Sequence, residues 1–259
     1  MNISLVIPIF NEAPCLPELC SRLQKTLYPL WLDYEVIFVD DASSDESWEI
    51  IKNECKNNHR FKAIRLRNRS GHQRAVFTAF HKTTGDAVMT LDGDLQHPPE
   101  KIPDFLEAWK NSGSELVYGF KTAQEGRSPF KKILNRLFHR ILSFRLSRSM
   151  HPETSDFQIM GRGLAERVKK TWDPAVFLRA WIHYQAKSTS RIPFEAAARF
   201  KGETKQKISW LLKLGVGTLF FFPNSTAQNL RPQALDISET LGFEPGVEKK
   251  HPLNAASLS

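Results

Sequence analysis

A chain of 259 residues with 41% hydrophobic and 25% charged side chains has the make-up of a folded globular protein, which excludes wholesale disorder, collagen and coiled coil. The length suits one large α/β domain or two small ones. Lys and Arg number 36 against 28 acids, and the resulting formal charge of +8 points to an anionic partner: nucleic acid, an acidic membrane surface or a phosphorylated substrate.

The first 120 residues alternate strand and helix signals. Residues 3–9 are a short continuous apolar run, as in a strand buried on both faces. Asn11 is placed to cap a helix whose apolar face is Leu16, Leu19, Cys20, Leu23 and Leu27. Residues 34–39 are a second buried strand, ending in Asp40 and Asp41. Ser43 and Glu46 have capping-box spacing and predict a helix over 48–55. A strand at 61–66, a helix at 71–83, a strand at 86–91, a helix at 99–110 opened by proline and a strand at 115–119 follow. This alternation predicts a parallel sheet with helices on both faces and a ligand site at the C-terminal strand ends, where Asp40, Asp41, Asp92 and Asp94 fall.

The second half differs. Between 121 and 148 eight basic residues face one acid, Glu125, and Ile133, Leu134, Leu137, Phe138, Ile141 and Leu142 share one helical face. The helix expected at 129–148 therefore suits either a lipid headgroup layer or packing on the sheet with a solvated basic side. A short strand at 157–160, two helices and a strand at 191–195 follow, then an amphipathic stretch at 208–222. From Pro223 the chain is polar and aperiodic, and is expected to be largely disordered. The expected division is one α/β domain at 1–205, an amphipathic helix at 206–222 and a tail at 223–259. The N-terminus does not read as a signal peptide, and no apolar stretch reaches the roughly 20 residues of a spanning helix. Cys15, Cys20 and Cys55 form neither a disulfide framework nor a metal knuckle and suit a reducing cytosol.

The strongest local signal is Asp92-Gly93-Asp94. Two carboxylates one residue apart after a buried strand can approach a hard cation carrying a diphosphate, although an isolated acidic turn has the same pattern. Asp40 and Asp41 exceed what helix capping needs, so a carboxylate there can accept from a nucleobase or ribose. The loop from Asn68 to Ala75 enters a helix N-terminus that can meet a phosphate.

Together PIFNE (8–12), VDDASSD (39–45), NRSGHQRA (68–75) and LDGDLQHPPE (91–100) resemble the family 2 glycosyltransferases of the GT-A fold, in order and spacing. The segments 154–160, 177–179 and 198–205 are similar to the polyprenyl-phosphate sugar transferases of that family. The resemblance covers about residues 3 to 222. It implies a mostly parallel Rossmann-like α/β sheet with C-terminal amphipathic helices. It implies inverting transfer of a hexose from a UDP- or GDP-sugar to a polyprenyl phosphate, for cell-envelope glycan modification. By that resemblance Pro8, Phe10, Glu12, Val39, Asp41, Asp92 and Gly93 hold the nucleotide. Asp92, Asp94 and Gln96 hold Mg²⁺ or Mn²⁺. Lys121, Arg127, Lys131, Arg136, Arg199 and Lys205 position the acceptor phosphate. Asp92, Asp94 and Asp156 are the catalytic set, with Asp156 orienting the acceptor, acting as a base, or only ending a turn.

Three departures from the family pattern stand out. Lys121 replaces an arginine, which keeps charge and loses the bidentate fork. Gln158 replaces another arginine. At Pro223, where many relatives continue into spanning helices, the chain turns polar, as an anchorless subfamily or a truncated or shifted frame would. The expected location is peripheral, on the cytoplasmic face of the membrane, with a homo-oligomer or an anchoring partner and no nucleic acid. The competing readings are transfer to a saccharide hydroxyl, which needs a carboxylate base, and a weakly active nucleotide-binding remnant.

Overall fold

A computed structural model of the chain describes residues 1–122, 151, 153–174, 176–197 and 236–243. The strands are β1 (Asn2–Ile9), β2 (Asp33–Asp40), β3 (Phe61–Leu66), β4 (Ala87–Thr90), β5 (Leu116–Lys121), β6 (Thr154–Gly161), β7 (Thr189–Phe194) and β8 (Ile237–Leu241). The helices are α1 (Leu16–Leu27), α2 (Ser47–Asn57), α3 (His72–Phe80), α4 (Ile102–Ser112), α5 (Arg162–Thr171) and α6 (Leu178–Gln185). The basic helix expected at 129–148 and the amphipathic stretch at 208–222 lie outside the described residues, as do Arg127, Lys131, Arg136, Arg199 and Lys205.

One sheet runs β7-β5-β6-β4-β1-β2-β3-β8. β1 lies between β2 and β4, parallel to both. Its seven residues from Ile3 to Ile9 are buried, as a central strand covered on both faces must be. Alternation divides each central strand between two cores. Ile3, Leu5, Ile7, Val36 and Phe38 face α1, α2 and α4. Val6, Ile37 and Val39 face α3, α5 and α6.

The sheet is mostly parallel, as expected, and two of its strands run against the rest. β6 runs antiparallel to both β4 and β5, with Thr90 opposite Gln158 and Phe120 opposite Thr154. β8 runs antiparallel to β3. The reversal of β6 brings its first residues, not its last, to the C-terminal rim of β4. β8 lies inside the stretch whose aperiodic sequence gave no element. It covers the open edge of β3, where unpaired backbone groups would otherwise face solvent.

Two helix starts are also corrected. Ser43 does not cap α2, because its Oγ accepts the Asn11 N–H at 2.9 Å. Asn11 does not cap α1, because its Oδ1 accepts the Ser44 N–H at 2.8 Å. Both side chains are spent lacing the loops after β1 and β2 together. β6 and β7 extend beyond the expected 157–160 and begin before the expected 191, since their outer residues pair in the sheet.

The end of the sheet away from the rim is fixed by Glu35. Its buried carboxylate accepts from Ser4 Oγ at 2.5 Å, Lys62 Nζ at 2.7 Å and Thr84 N–H at 2.7 Å. Burial raises its pKa, but these partners outweigh that and hold the carboxyl below its ordinary value. Gly85 is required beside it: a Cβ there would lie 2.6 Å from the Ser4 nitrogen. Cys15, Cys20 and Cys55 are free thiols, and burial pushes Cys55 up to about 12, which keeps it from acting as a thiolate. Among the described residues no helix is long and apolar enough to cross a membrane.

Candidate active site

The loops after β1, β2 and β4 meet at the C-terminal rim. Each turns through a non-glycine residue of positive φ: Asn11 at 54°, Ala42 at 57° and Leu95 at 64°. Backbone held in this sparsely populated region concentrates at functional sites. The first two loops are tied by the Asp41 N–H to Ile9 O at 2.8 Å and the Glu12 N–H to Ser47 Oγ at 2.9 Å.

The structure places the expected nucleotide residues at this rim in unequal ways. Asp41 is buried, and its two carboxylate oxygens accept the Ser70 N–H at 2.6 Å and the Gly71 N–H at 2.8 Å. It thus anchors the loop that enters α3. Burial raises its pKa despite those hydrogen bonds. Arg69 of the same loop stacks over the Phe10 ring, 3.9 Å from its centroid. Pro8 lines a small cavity described below. The Val39 side chain is buried in the core facing α3, so only its backbone reaches the rim. A Cβ on Gly93 would sit 2.4 Å from Ile9 Cδ1, so a larger residue there requires the end of the Ile9 side chain to shift.

Asp92 is the hub of the site. His72 Nε2 is 2.9 Å from Asp92 Oδ1, and the Asp92 N–H donates to His97 Nδ1 at 2.9 Å. Against the cost of burial, the neighbouring imidazoles and Lys121 hold the Asp92 carboxyl well below the usual carboxylate range. Burial lowers the pKa of His72, but the hydrogen bond and charge of Asp92 outweigh it and push the imidazole up to about 9. For His97 burial wins over the pull of Asp92, and Lys121 adds to it, so its pKa falls below the ordinary value.

Asp94 is buried, and its Oδ1 accepts the Gln96 N–H at 3.1 Å. Lys121 Nζ donates to Gln96 Oε1 at 3.2 Å, so this expected phosphate residue does reach the acidic loop. Asp156, carried to the rim by the reversal of β6, pairs through Oδ1 with Arg179 Nε at 3.2 Å. Thr90 Oγ1 donates to the Asp156 carbonyl at 2.5 Å. His72, Asp92, Asp156, Gln158, Thr90 and Arg179 share one small cavity. The side-chain oxygen Oε1 of Gln158 is buried without a hydrogen-bond partner among the described residues.

One ligand atom each from His72, Asp92 and Asp156 lies within 4.8 Å of the others. One imidazole and two carboxylates suit Mn²⁺ or Mg²⁺ in donor type. This group shares Asp92 with the expected metal set and brings in His72 and Asp156, whereas Asp94 falls outside it. His72 and Arg179 were not singled out from the sequence. Their signals were the NRSGHQRA and Phe177-Leu178-Arg179 strings, which name no partner for either residue.

The His72–Asp92 pair makes stability depend on pH. A histidine whose pKa rises from 6.5 to about 9 on folding contributes stability that is complete below its unfolded value and lost as pH rises through its folded one. The melting temperature of the apoprotein is therefore expected to fall between pH 7 and pH 10, roughly the window those values set. His72→Gln should flatten that slope, and a slope unchanged in the variant would contradict the pairing.

Sheet order, acidic rim and the antiparallel insertion of β6 together define a GT-A-type α/β protein. Residues 4–169 match the family described as glycosyl transferase family 2. The chain belongs to that family. It is 31% identical over 219 residues to an uncharacterised glycosyltransferase of Bacillus subtilis, covering 85% of this chain and 68% of the relative. It is 31% identical over 216 residues to an undecaprenyl-phosphate 4-deoxy-4-formamido-L-arabinose transferase of an Enterobacter species, covering 82% and 65%. The chain thus spans about two thirds of the length of these relatives. Among solved structures it is similar to glucosyl-3-phosphoglycerate synthase of Mycobacterium tuberculosis with Mn²⁺ and UDP, with a TM-score of 0.60 and 18% identity over 84% of this chain and 77% of that one. It is also similar to S. aureus TarS in complex with UDP-GlcNAc, with a TM-score of 0.57 and 21% identity over 78% and 60%. These two likenesses concern the fold.

Proposed function

We propose that this family 2 glycosyltransferase moves a hexose from a UDP- or GDP-sugar to a polyprenyl phosphate, with inversion, at a membrane surface. The observation that carries the reading is the meeting of Asp92, Asp156, His72 and the cation Lys121 at one rim. The name of the undecaprenyl-phosphate relative supports the acceptor class.

The nucleoside lies over Phe10 and Glu12, with Asp41 holding the loop beside it. The donor diphosphate faces Asp92 and Asp94. The leaving group gains negative charge as the sugar–phosphate bond breaks, and Lys121, which reaches the acidic loop at Gln96, would offset part of it. Asp92 would hold Mg²⁺ or Mn²⁺ together with His72 and Asp156, or with Asp94 and Gln96 of its own turn; such a cation supplies charge neutralisation at the diphosphate. The acceptor phosphate is anionic near neutral pH and needs positioning more than deprotonation. Arg179, held against Asp156, is a cation on that side of the cavity, and Arg127, Lys131, Arg136, Arg199 and Lys205, outside the described residues, would join Lys121 in positioning the acceptor phosphate. Peripheral attachment at the cytoplasmic face brings this rim to the lipid.

The second reading is transfer to a saccharide hydroxyl. It is favoured by Asp156, a carboxylate beside Asp92 able to serve as base, and opposed by the engagement of its Oδ1 by Arg179.

The test is nucleoside diphosphate release from a panel of UDP- and GDP-sugars with Mg²⁺ or Mn²⁺, in detergent, with and without undecaprenyl phosphate. Release that requires both metal and lipid is expected. Donor binding without lipid-dependent release would move the acceptor to a hydroxyl, and no nucleotide binding would end the reading.

A further inference from the structure

The sequence places His97 between the acidic turn and two prolines, where it has no evident task. In the fold it is buried against an aromatic wall. Its ring is stacked on Phe157, with centroids 5.1 Å apart and planes at 15°. Phe194 meets it edge-on at 5.6 Å. Phe157 itself packs on Phe105 at 4.3 Å. The wall has no slack, because a Cβ on Gly119 would lie 2.9 Å from both Phe105 and Phe194.

The polar edge of the same ring faces Asp92. Nδ1 accepts the Asp92 N–H at 2.9 Å and lies 3.5 Å from Asp92 Oδ2. A nitrogen that accepts a backbone N–H carries no proton, so the imidazole is neutral with its proton on Nε2. An unprotonated Nδ1 makes no hydrogen bond to Asp92 Oδ2, so that oxygen is left for the cavity while Oδ1 meets His72. A buried N–H with no acceptor would instead pull the turn toward another partner.

We propose that His97 is a positioning residue: its ring is fixed by Phe157 and Phe194, and its Nδ1 fixes the Asp92 backbone so that the Asp92 carboxylate points at the cation site. The inference rests on the reading that Asp92 holds the divalent cation. It places the control of metal affinity in the aromatic wall formed by Phe157 of β6 and Phe194 of β7. Partners that orient a metal ligand typically change metal affinity by about 10–100-fold when removed.

Two substitutions separate the ring from the acceptor. His97→Phe keeps the aromatic packing and removes the acceptor. His97→Asn loses the ring and keeps an oxygen near the position of Nδ1. Mn²⁺ binding is measured by electron paramagnetic resonance, with UDP and with GDP present, beside thermal melting of each protein. The expected pattern is crossed. His97→Phe loses about tenfold or more in Mn²⁺ affinity while keeping most of its melting temperature. His97→Asn melts lower yet binds Mn²⁺ within about threefold of the parent chain, below the loss expected for a removed partner. Mn²⁺ affinity that follows melting temperature through both variants, or a His97→Phe protein that binds Mn²⁺ normally, would overturn the proposal alone. A parent chain that binds no Mn²⁺ with either nucleotide would overturn the cation reading of Asp92 and this inference with it.

Discussion

Asp92→Asn is expected to reduce kcat/KM for sugar transfer by about 10³-fold or more, equivalent to about 4 kcal/mol of transition-state stabilisation. The substitution keeps shape, and it keeps the backbone N–H that His97 accepts. It removes the charge that faces His72 and the cation site. The two consequences differ in size. Folding loses the half-buried His72–Asp92 pair, a charged hydrogen bond worth about 1.5–3 kcal/mol. Catalysis loses a ligand at the point where diphosphate charge develops. Nucleoside diphosphate release and circular-dichroism melting on the same preparation check both halves. Activity within about tenfold of the parent, far less than removal of a charge-stabilising group costs, would exclude Asp92 from the chemistry.

Asp41→Ala is expected to act on both stability and nucleotide binding. The carboxylate satisfies two backbone N–H groups, those of Ser70 and Gly71. Ser70 is exposed and Gly71 half-buried, so water takes up part of the loss and each donor costs about 1 kcal/mol, the low end for an unsatisfied group. A total loss of about 2 kcal/mol corresponds to a melting temperature about 4–8 °C lower for a chain of this size. The freed loop carries Arg69, which stacks on Phe10, and His72, which faces Asp92. UDP or GDP affinity should therefore fall by about tenfold or more, since binding must then order the loop as well. Asp41→Asn retains one acceptor oxygen and should lie between. Calorimetric titration with UDP and GDP distinguishes the outcomes: a lower melting temperature with unchanged affinity for the nucleotide bound by the parent would make Asp41 structural only.

What was legible in the sequence follows from local physics. β1 reads as an apolar run broken only by Ser4, and β2 as one from Val36 to Val39, as central strands of a sheet covered on both faces do. The acids at the ends of β2 and β4 are positioned by chain order alone, because parallel strands deliver their C-terminal residues to one rim. Asp92, Gly93, Asp41 and Lys121 were identified on that ground and by family resemblance, and the fold brings all four to the same side. The capping assignments of Ser43 and Asn11 failed for a reason that spacing does not contain. Each side chain had a tertiary partner across the gap between two loops, and those bonds replaced the local ones.

The tertiary structure alone decided the rest. Strand direction is not written in periodicity, since a strand has the same alternation read either way. The antiparallel pairing of β6 therefore determined that Asp156, near its start, joins Asp92 at the rim. His72 and Arg179 are separated from their partners by 20 and 23 residues, distances at which sequence carries no pairing signal. The strand β8 reads as polar and irregular because it contributes backbone hydrogen bonds at a sheet edge and little buried surface. The sequence by itself determined the fold class, the rim and the acidic turn. Only the folded chain decided which histidine, carboxylate and arginine meet there, because that depends on the direction in which a strand enters the sheet.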